Sequence, residues 1–384
     1  MKGIKFIKVI LTMLVSILSM MLTIGCSQIG ESKYYSQSKL QGLELLLKQG
    51  YLYDVELEKD QIADSIYKGY VGEIGNAATY YLDAEAFKQA KISNEGNYFG
   101  VGLRMIWENE GHSILVTDVI PNSSAEEANI KAGDHIIRID DIEVIEANQE
   151  ELLKKINASG QQAVSYTIKG SDNQERTVLL AAEEIELNDF SYELIEDILY
   201  IDVDNVKTGM SQSLQDVLNK YEKAKGIILD VRGIYTNNVE EISKLADLFL
   251  DEGTAFKVEN KAKAMTDFLM KEGADRRPLV LLTDNETIGV TEALVNALSD
   301  RAVQVGSDTR GLAYVSEMIE LEDGSGLCVA TGILCDEFGV ELPKKGLKPD
   351  IQVYMTTKEK LEYIREGKVS KKNDSVLVKA LEQF

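Results

Sequence analysis

The sequence predicts a multidomain α/β protein with a helical N-terminal cap, a β-rich module and a layered α/β core. Three observations carry this. Apolar residues recur at spacings of three and four up to about Lys91. They switch to short β-branched runs between Tyr98 and about Ala182, and from Leu194 onward strand-like runs alternate with helical ones. Turn-forming residues separate the runs of the middle region. A length of 384 residues, at about 100 to 200 per domain, gives room for two or three domains.

Composition narrows the function classes. Acids outnumber bases 64 to 41, a net charge of −23, which argues against a basic face for nucleic acid. The only two histidines are His112 and His135, so a multi-histidine metal site is excluded and a Ser-His-Asp triad would have to use one of them. Three cysteines cannot staple a disulfide scaffold. The acid runs Glu183-Glu184 and Glu240-Glu241 lack the spacing of a calcium loop. No metal or cofactor is expected.

At the N-terminus, Lys2, Lys5 and Lys8 precede an uncharged stretch of 17 residues, Val9 to Gly25, the pattern of a secretory signal. It ends in Leu22-Thr23-Ile24-Gly25-Cys26, which resembles the lipobox of bacterial lipoproteins, with Thr23 where Leu is commoner. That resemblance implies lipidation at Cys26 and a protein held on the extracytoplasmic side of a bacterial membrane. The alternative is an uncleaved membrane helix, since the run approaches the roughly 20 residues needed to span. Residues 1–25 hold three lysines and no acid, so without them the charge becomes −26, and lipid rather than electrostatics must hold the protein to anionic headgroups.

Residues 26–39 read as a polar tether and 40–96 as the helical cap, with Leu43, Leu46, Leu47, Ile62, Ile66 and Tyr70 on helical spacing. Residues 97–184 form the β-rich module, with strands expected at Ser113–Ile120, His135–Ile139, Ala163–Lys169 and Thr177–Leu180. Residues 190–356 form the core. Its strands are expected at 199–203, 226–231, 279–283 and 303–305 and its helices at 210–224, 239–249 and 292–299, an alternation that argues for a largely parallel sheet. Residues 357–384 read as a C-terminal helical segment. Cys328 and Cys335 point to opposite faces if one strand carries both; a hairpin at Thr331-Gly332 would let them pair.

Two stretches of the β-rich module, Tyr98-Phe99-Gly100-Val101-Gly102-Leu103 and Ser123-Ser124-Ala125 through Ala132-Gly133-Asp134-His135, together resemble a PDZ domain of the bacterial protease type. In such a domain loop glycines let backbone N–H groups converge on a peptide's terminal carboxylate, and the next strand offers its edge for β-augmentation. The resemblance implies a polypeptide or protein C-terminus as partner, bound at Phe99, Gly100, Val101, Gly102 and Leu103. His135 reads as structural.

In the core, Gly226-Ile227-Ile228-Leu229-Asp230-Val231-Arg232, Glu292-Ala293-Leu294, Leu321 to Leu327 and Lys345-Gly346-Leu347-Lys348-Pro349-Asp350 resemble the C-terminal processing, or tail-specific, serine peptidases, whose core is of the ClpP/crotonase-like type. Ala78-Thr79-Tyr80-Tyr81-Leu82 resembles their cap. These enzymes use a serine deprotonated by a lysine whose pKa burial lowers. Laid on the family's motifs, this chain has Gly289 at the nucleophile position, Leu312 at the base and Ser316 where a glutamine usually follows. Arg232-Gly233-Ile234-Tyr235-Thr236-Asn237-Asn238 replaces the Asn-Pro-Gly-Gly loop that lends an N–H to the oxyanion hole. Gly289 has no side chain, Leu312 accepts no proton and Arg310 stays charged. Of the flanking threonines, Thr287 reads as an N-cap and Thr291 as a first-turn residue. Asp230 and Arg232 read as an ion pair supporting the core. The sequence therefore points to a lipid-anchored pseudopeptidase that binds polypeptide through the PDZ edge, the vacated cleft or both. An active serine endopeptidase and a scaffold for an active relative are the competing readings.

Overall fold

The computed structural model describes residues 37–52, 59–108, 113–145, 152, 155–156, 163–170, 172–366 and 369–384. The signal stretch, Cys26, most of the tether and His112 lie outside the described residues. The chain divides at Ala63/Asp64 into two units.

In the first unit, helix α1 (Gln37–Gly50) forms where the leucine spacing predicts it, with a Lys48–Glu44 pair one turn apart. Leu43, Leu46 and Leu47 lie on this helix and are exposed. Helix α2 (Lys59–Gly72) crosses the division.

The second unit opens with strand β1 (Tyr80–Leu82) and helix α3 (Ala84–Asn94). The sequence reading took 40–96 as wholly helical; β1 departs from it. The reason is antiparallel pairing of Tyr80–Leu82 with Gly326–Cys328 far along the chain; Asp83 then ends the strand, its carboxylate capping α3 by accepting the Ala86 N–H at 3.0 Å and holding the Lys68 ammonium at 2.9 Å. The Ala86 amide, chiefly, keeps that carboxyl below its usual range.

Next come β2 (Asn97–Gly100), β3 (Leu103–Glu108), β4 (Ser113–Val119), the single turn α4 (Ser124–Glu127), β5 (His135–Ile139), β6 (Ile142–Glu143), β7 (Val164–Lys169), β8 (Glu175–Leu180) and β9 (Glu183–Glu186). The sheet runs β3-β4-β5-β7-β8 with β6 on β5, and β2 pairs separately with β9. Inward residues Ile114, Val116, Ile136, Ile139, Tyr166 and Ile168 are buried, as alternating strands require. Asp134 explains the Gly-Asp turn. It accepts from the Lys131 amide at 3.2 Å and from Arg176 at 2.8 Å, while Gly133 takes a φ of +90°.

The core holds β10 (Phe190–Ile195), β11 (Ile198–Val203), α5 (Met210–Lys220), β12 (Gly226–Asp230), β13 (Tyr235–Thr236), α6 (Val239–Asp247), β14 (Gly253–Asn260), β15 (Met265–Met270), β16 (Leu279–Thr283), β17 (Ile288–Gly289), α7 (Thr291–Ala297), β18 (Val303–Gly306), β19 (Tyr314–Glu320), β20 (Gly326–Cys335), β21 (Ile351–Gln352), α8 (Thr357–Glu366) and α9 (Ser375–Leu381). The main sheet, β10-β11-β12-β16-β18-β21, is parallel except for β10. Both faces are buried. Leu199, Ile201, Ile227, Leu229 and Leu281 face α5, α6 and α7, while Tyr200, Ile228, Val280, Leu282 and Val305 meet Val376, Leu377 and Ala380 of α9. The second sheet, β1-β20-β14-β15 with β19 on β20, is antiparallel and was not read from sequence, because its strands are half exposed and carry charges such as Lys257 and Glu259. Strand β20 runs through Thr331-Gly332 without a turn, so Cys328 and Cys335 stand about 23 Å apart and both are free.

Candidate functional site

Gly289 ends β17, immediately before α7, at a φ of +71° and buried. Its neighbour strand is β13, from the loop that follows the Asp230-Val231-Arg232 run: Tyr235 pairs with Ile288 and Thr236 with Gly289. The Ile288 N–H donates to Ile234 O and the Val290 N–H to Thr236 O, each at 3.0 Å. A Cβ on Gly289 would lie 2.8 Å from the Thr236 carbonyl oxygen and 3.1 Å from the Tyr235 ring. The chain's own backbone and an aromatic ring thus fill the space that a side chain at position 289 would need. The Thr236 carbonyl thus accepts the N–H of Val290, the residue after the one that the sequence resemblance lays on the nucleophile.

Glu292, in the first turn of α7, ties this point to the segment that carries Leu312. Its buried carboxylate accepts from Thr309 Oγ1 at 2.6 Å, Gly311 N at 2.7 Å and Leu312 N at 2.9 Å, and the Gly289 amide also bonds to it. Burial pushes the carboxyl above its ordinary range despite these donors. In the sequence Glu292 stands out only as part of the Glu292-Ala293-Leu294 resemblance; its buried network is not legible there. Leu312 itself is half buried, and its backbone rather than its side chain is engaged. The Lys345 to Asp350 run docks behind it, with Thr309 Oγ1 accepting the Leu347 N–H at 2.8 Å and Gly346 at a φ of +83° pressed on Thr309.

Nearby hydroxyls are committed elsewhere. Thr287 is not an N-cap. Its Oγ1 donates to Val231 O at 3.0 Å and closes the 284–287 turn with Asp284, while α7 starts at Val290 without a side-chain cap. Thr291 is in the first turn, as expected, and its buried Oγ1 has no partner among the described residues. Ser316 lies on β19, where the Asn237 carboxamide brackets its backbone, accepting its N–H at 2.8 Å and donating to its carbonyl; its Oγ reaches Ala78 O at 3.3 Å. Among the described residues, none of these three hydroxyls is hydrogen-bonded to a lysine. Tyr80 and Tyr235 approach Cys328 beside the site, and burial, followed by that thiol, raises both phenols above their usual range.

Asp230 and Arg232 form the expected ion pair, but it is part of a larger lock. Arg232 donates to Asp230 Oδ2 at 2.5 Å and to Asp374 Oδ2 at 2.8 Å, and Asp374 also caps α9; Tyr200 OH donates to Asp230 Oδ2 at 2.9 Å. This fastens the C-terminal helix over the sheet that carries the site. Asp202, on the adjoining strand, is pushed up to about 7, mainly by burial and then by the Asp230 and Asp204 charges.

In the β-rich module, Phe99 and Gly100 belong to β2 and pair with Glu184 and Glu183, Val101 and Gly102 make the bend at a Gly102 φ of +85°, and Leu103 opens β3. The loop carbonyls are used internally, Gly102 O by Ile120 N at 2.8 Å and Val101 O by Ala125 N at 3.1 Å. Strand β3 is at the edge of its sheet. His135 is structural, with Nδ1 3.2 Å from Ser113 Oγ and 3.0 Å from Glu108 Oε2.

A two-sheet α/β core preceded by an edge-stranded β module defines a PDZ-bearing peptidase architecture, and comparison with known proteins names it. Residues 197–353 match the model of peptidase family S41 and residues 89–169 that of the PDZ domain. The chain belongs to the C-terminal processing peptidase family with a PDZ domain. It is 26% identical over 383 residues to the carboxy-terminal processing protease CtpA of Bacillus subtilis (strain 168), covering 96% of this chain and 81% of that one. It is 28% identical over 282 residues to the carboxyl-terminal-processing protease of Picosynechococcus sp., 71% of this chain and 68% of that one. A solved S41-type structure from Bacteroides fragilis shares the fold, with a TM-score of 0.58 at 15% identity over 92% of this chain and 98% of the other.

Proposed function

We propose that this chain is a pseudopeptidase, tethered through Cys26 to the outer side of a bacterial membrane, that holds polypeptide at its PDZ edge without cutting it. The observation that carries the reading is the Thr236 carbonyl 3.0 Å from the Val290 N–H, beside a glycine whose Cβ position it crowds. Loss of one oxyanion donor alone lowers rates by about 10² to 10³, and here nucleophile and base are missing as well. A peptide cannot lay its scissile carbonyl where the chain has placed its own, so the PDZ edge takes the greater share of binding. The test is digestion of unfolded casein by the full chain, with an active family member as positive control, together with labelling by a fluorophosphonate serine probe. Cleavage by the unmodified protein would overturn the reading. A second reading has one supporting observation, the unpartnered buried hydroxyl of Thr291. It predicts cleavage that Thr291→Ala abolishes. Tethering is tested separately by Cys26→Ser, which should move the protein from the membrane fraction to the soluble one.

A further inference from the structure

Strand β15 (Met265–Met270) ends the second sheet: β14 lies on one side, and among the described residues no strand takes the other. Such an edge offers unpaired N–H and C=O groups to any strand that reaches it. Phe268 and Met270 turn inward to the core, whereas Met265, Asp267 and Leu269 share the outer face. Leu269, at 65% exposure, is the most open apolar side chain of the strand. Asp267 meets Lys257 at 3.3 Å and stays half exposed. Lys271 continues the outer alternation. Its N–H is held by Asp247 of α6, and its exposed ammonium meets no acid among the described residues.

We propose that this edge is a homodimer interface, β15 pairing antiparallel with β15 of a second copy about a two-fold axis at Leu269. In such a pair opposite residue numbers sum to a constant and opposite side chains share a face, so the axis passes through a residue and never between two. Charge selects the residue. An axis at Asp267 sets that carboxylate against its own copy and Lys263 against Lys271, both repulsive. Axes at Thr266, Phe268 or Met270 make no opposite-charge pair among residues 265–271. An axis at Met265 would need the hairpin turn extended, and Lys263 in that turn has a φ of +62°. The axis at Leu269 sets Asp267 against Lys271 twice and brings the two leucines together. The chain thus carries both halves of each charge pair at the spacing that self-pairing needs, which selects a second copy over an unrelated strand.

The test is oxidative cross-linking of the full chain in detergent, with Cys26→Ser so that, Cys328 and Cys335 being buried, an introduced thiol is the exposed one. Leu269→Cys should link two chains, because Cα atoms opposite one another stand about 4.5–5.5 Å apart, within the span of a disulfide. Met265→Cys should not, since four residues on each side of the axis separate its two copies by about 27 Å. Phe338→Cys, at 81% exposure and next to Gly339 near Met265, measures collisional linking. In sedimentation equilibrium Lys271→Glu should raise the dimer dissociation constant roughly ten-fold, two exposed pairs having turned repulsive. Adding Asp267→Lys should return it to near the wild-type value. Linking at 269 no greater than at 338, equal linking at 265 and 269, or a Lys271→Glu effect that Asp267→Lys leaves unreversed would overturn the proposal.

Discussion

Restoring a serine at position 289 should fail, and the structure says by how much. Gly289 has a φ of +71°, a region in which a side chain costs about 1–2 kcal/mol. Its added Cβ would also sit 2.8 Å from the Thr236 carbonyl oxygen, which is backbone and held by the Val290 N–H. Forcing a tightly packed contact of this kind costs a further 1–3 kcal/mol, roughly. Gly233 is a close internal control, since its φ is +72° and nothing lies within 4 Å of its Cβ position. Gly233→Ala should therefore lower unfolding free energy by about 1–2 kcal/mol and Gly289→Ala by about 2–5, measured by urea denaturation followed by circular dichroism. The double variant Gly289→Ser with Leu312→Lys should not digest casein, because Thr236 still occupies the Val290 N–H. Any rescue should need the 235–236 segment replaced as well. If Gly289→Ala costs no more than Gly233→Ala, or the double variant cleaves casein, the occupied-site argument is refuted.

Other expectations follow from the same networks. Glu292→Gln places a donor among N–H and O–H donors that now share one carboxylate, and should cost on the order of 2–3 kcal/mol, read as a lowered thermal midpoint. Arg232→Ala leaves Asp230 and Asp374 buried without their cation; a loss of about 3–5 kcal/mol is expected, with hydrogen exchange of α9 rising before that of β12. Asp202 is held at about 7 in the folded state, above its unfolded value, so the fold binds its proton more tightly and stability should fall as pH rises from about 4 to about 7. Asp202→Asn should flatten that part of the urea-midpoint profile. Glu359 behaves oppositely. Burial opposes its charge, but hydrogen bonds from Thr356 and Ser375 outweigh burial and hold it at about 2, so its contribution is complete above about 4.5 and lost as pH falls toward 2. Glu359→Gln should remove that acid limb.

The elements the sequence disclosed are those whose physics is local or two-faced. Leu279–Thr283 and His135–Ile139 are found at the expected residues because short apolar runs between turn signals admit few alternatives. The core helices start within a residue of expectation and end two to four residues early, where caps rather than periodicity decide. What stayed hidden depends on partners distant in the chain. Tyr80–Leu82 is a strand because β20, some 250 residues later, offers Gly326 to Cys328 as its ladder, and nothing between residues 78 and 82 specifies that. The second sheet was missed for the same reason, since half-exposed charged strands have no strong period until their neighbours exist.

The candidate site divides along the same line. A missing side chain is visible in one dimension: by the family resemblance, Gly289 and Leu312 stand where a serine and a lysine are expected. What takes the place of the lost groups is not, because occupancy is a three-dimensional quantity. From sequence, Tyr235 and Thr236 were merely residues that were not Pro-Gly-Gly. In the structure they make a two-residue strand, and the Thr236 carbonyl accepts the Val290 N–H. That N–H must be satisfied in a buried place, since leaving it unpaired costs about 1–3 kcal/mol. An internal acceptor is a stable solution, and it in turn favours glycine at position 289. Glycine at 289 and the pairing of the 235–236 segment are therefore mutually reinforcing. Once Thr236 pairs with Gly289, a side chain cannot return without expelling the strand, and while 289 stays glycine the strand has room to remain.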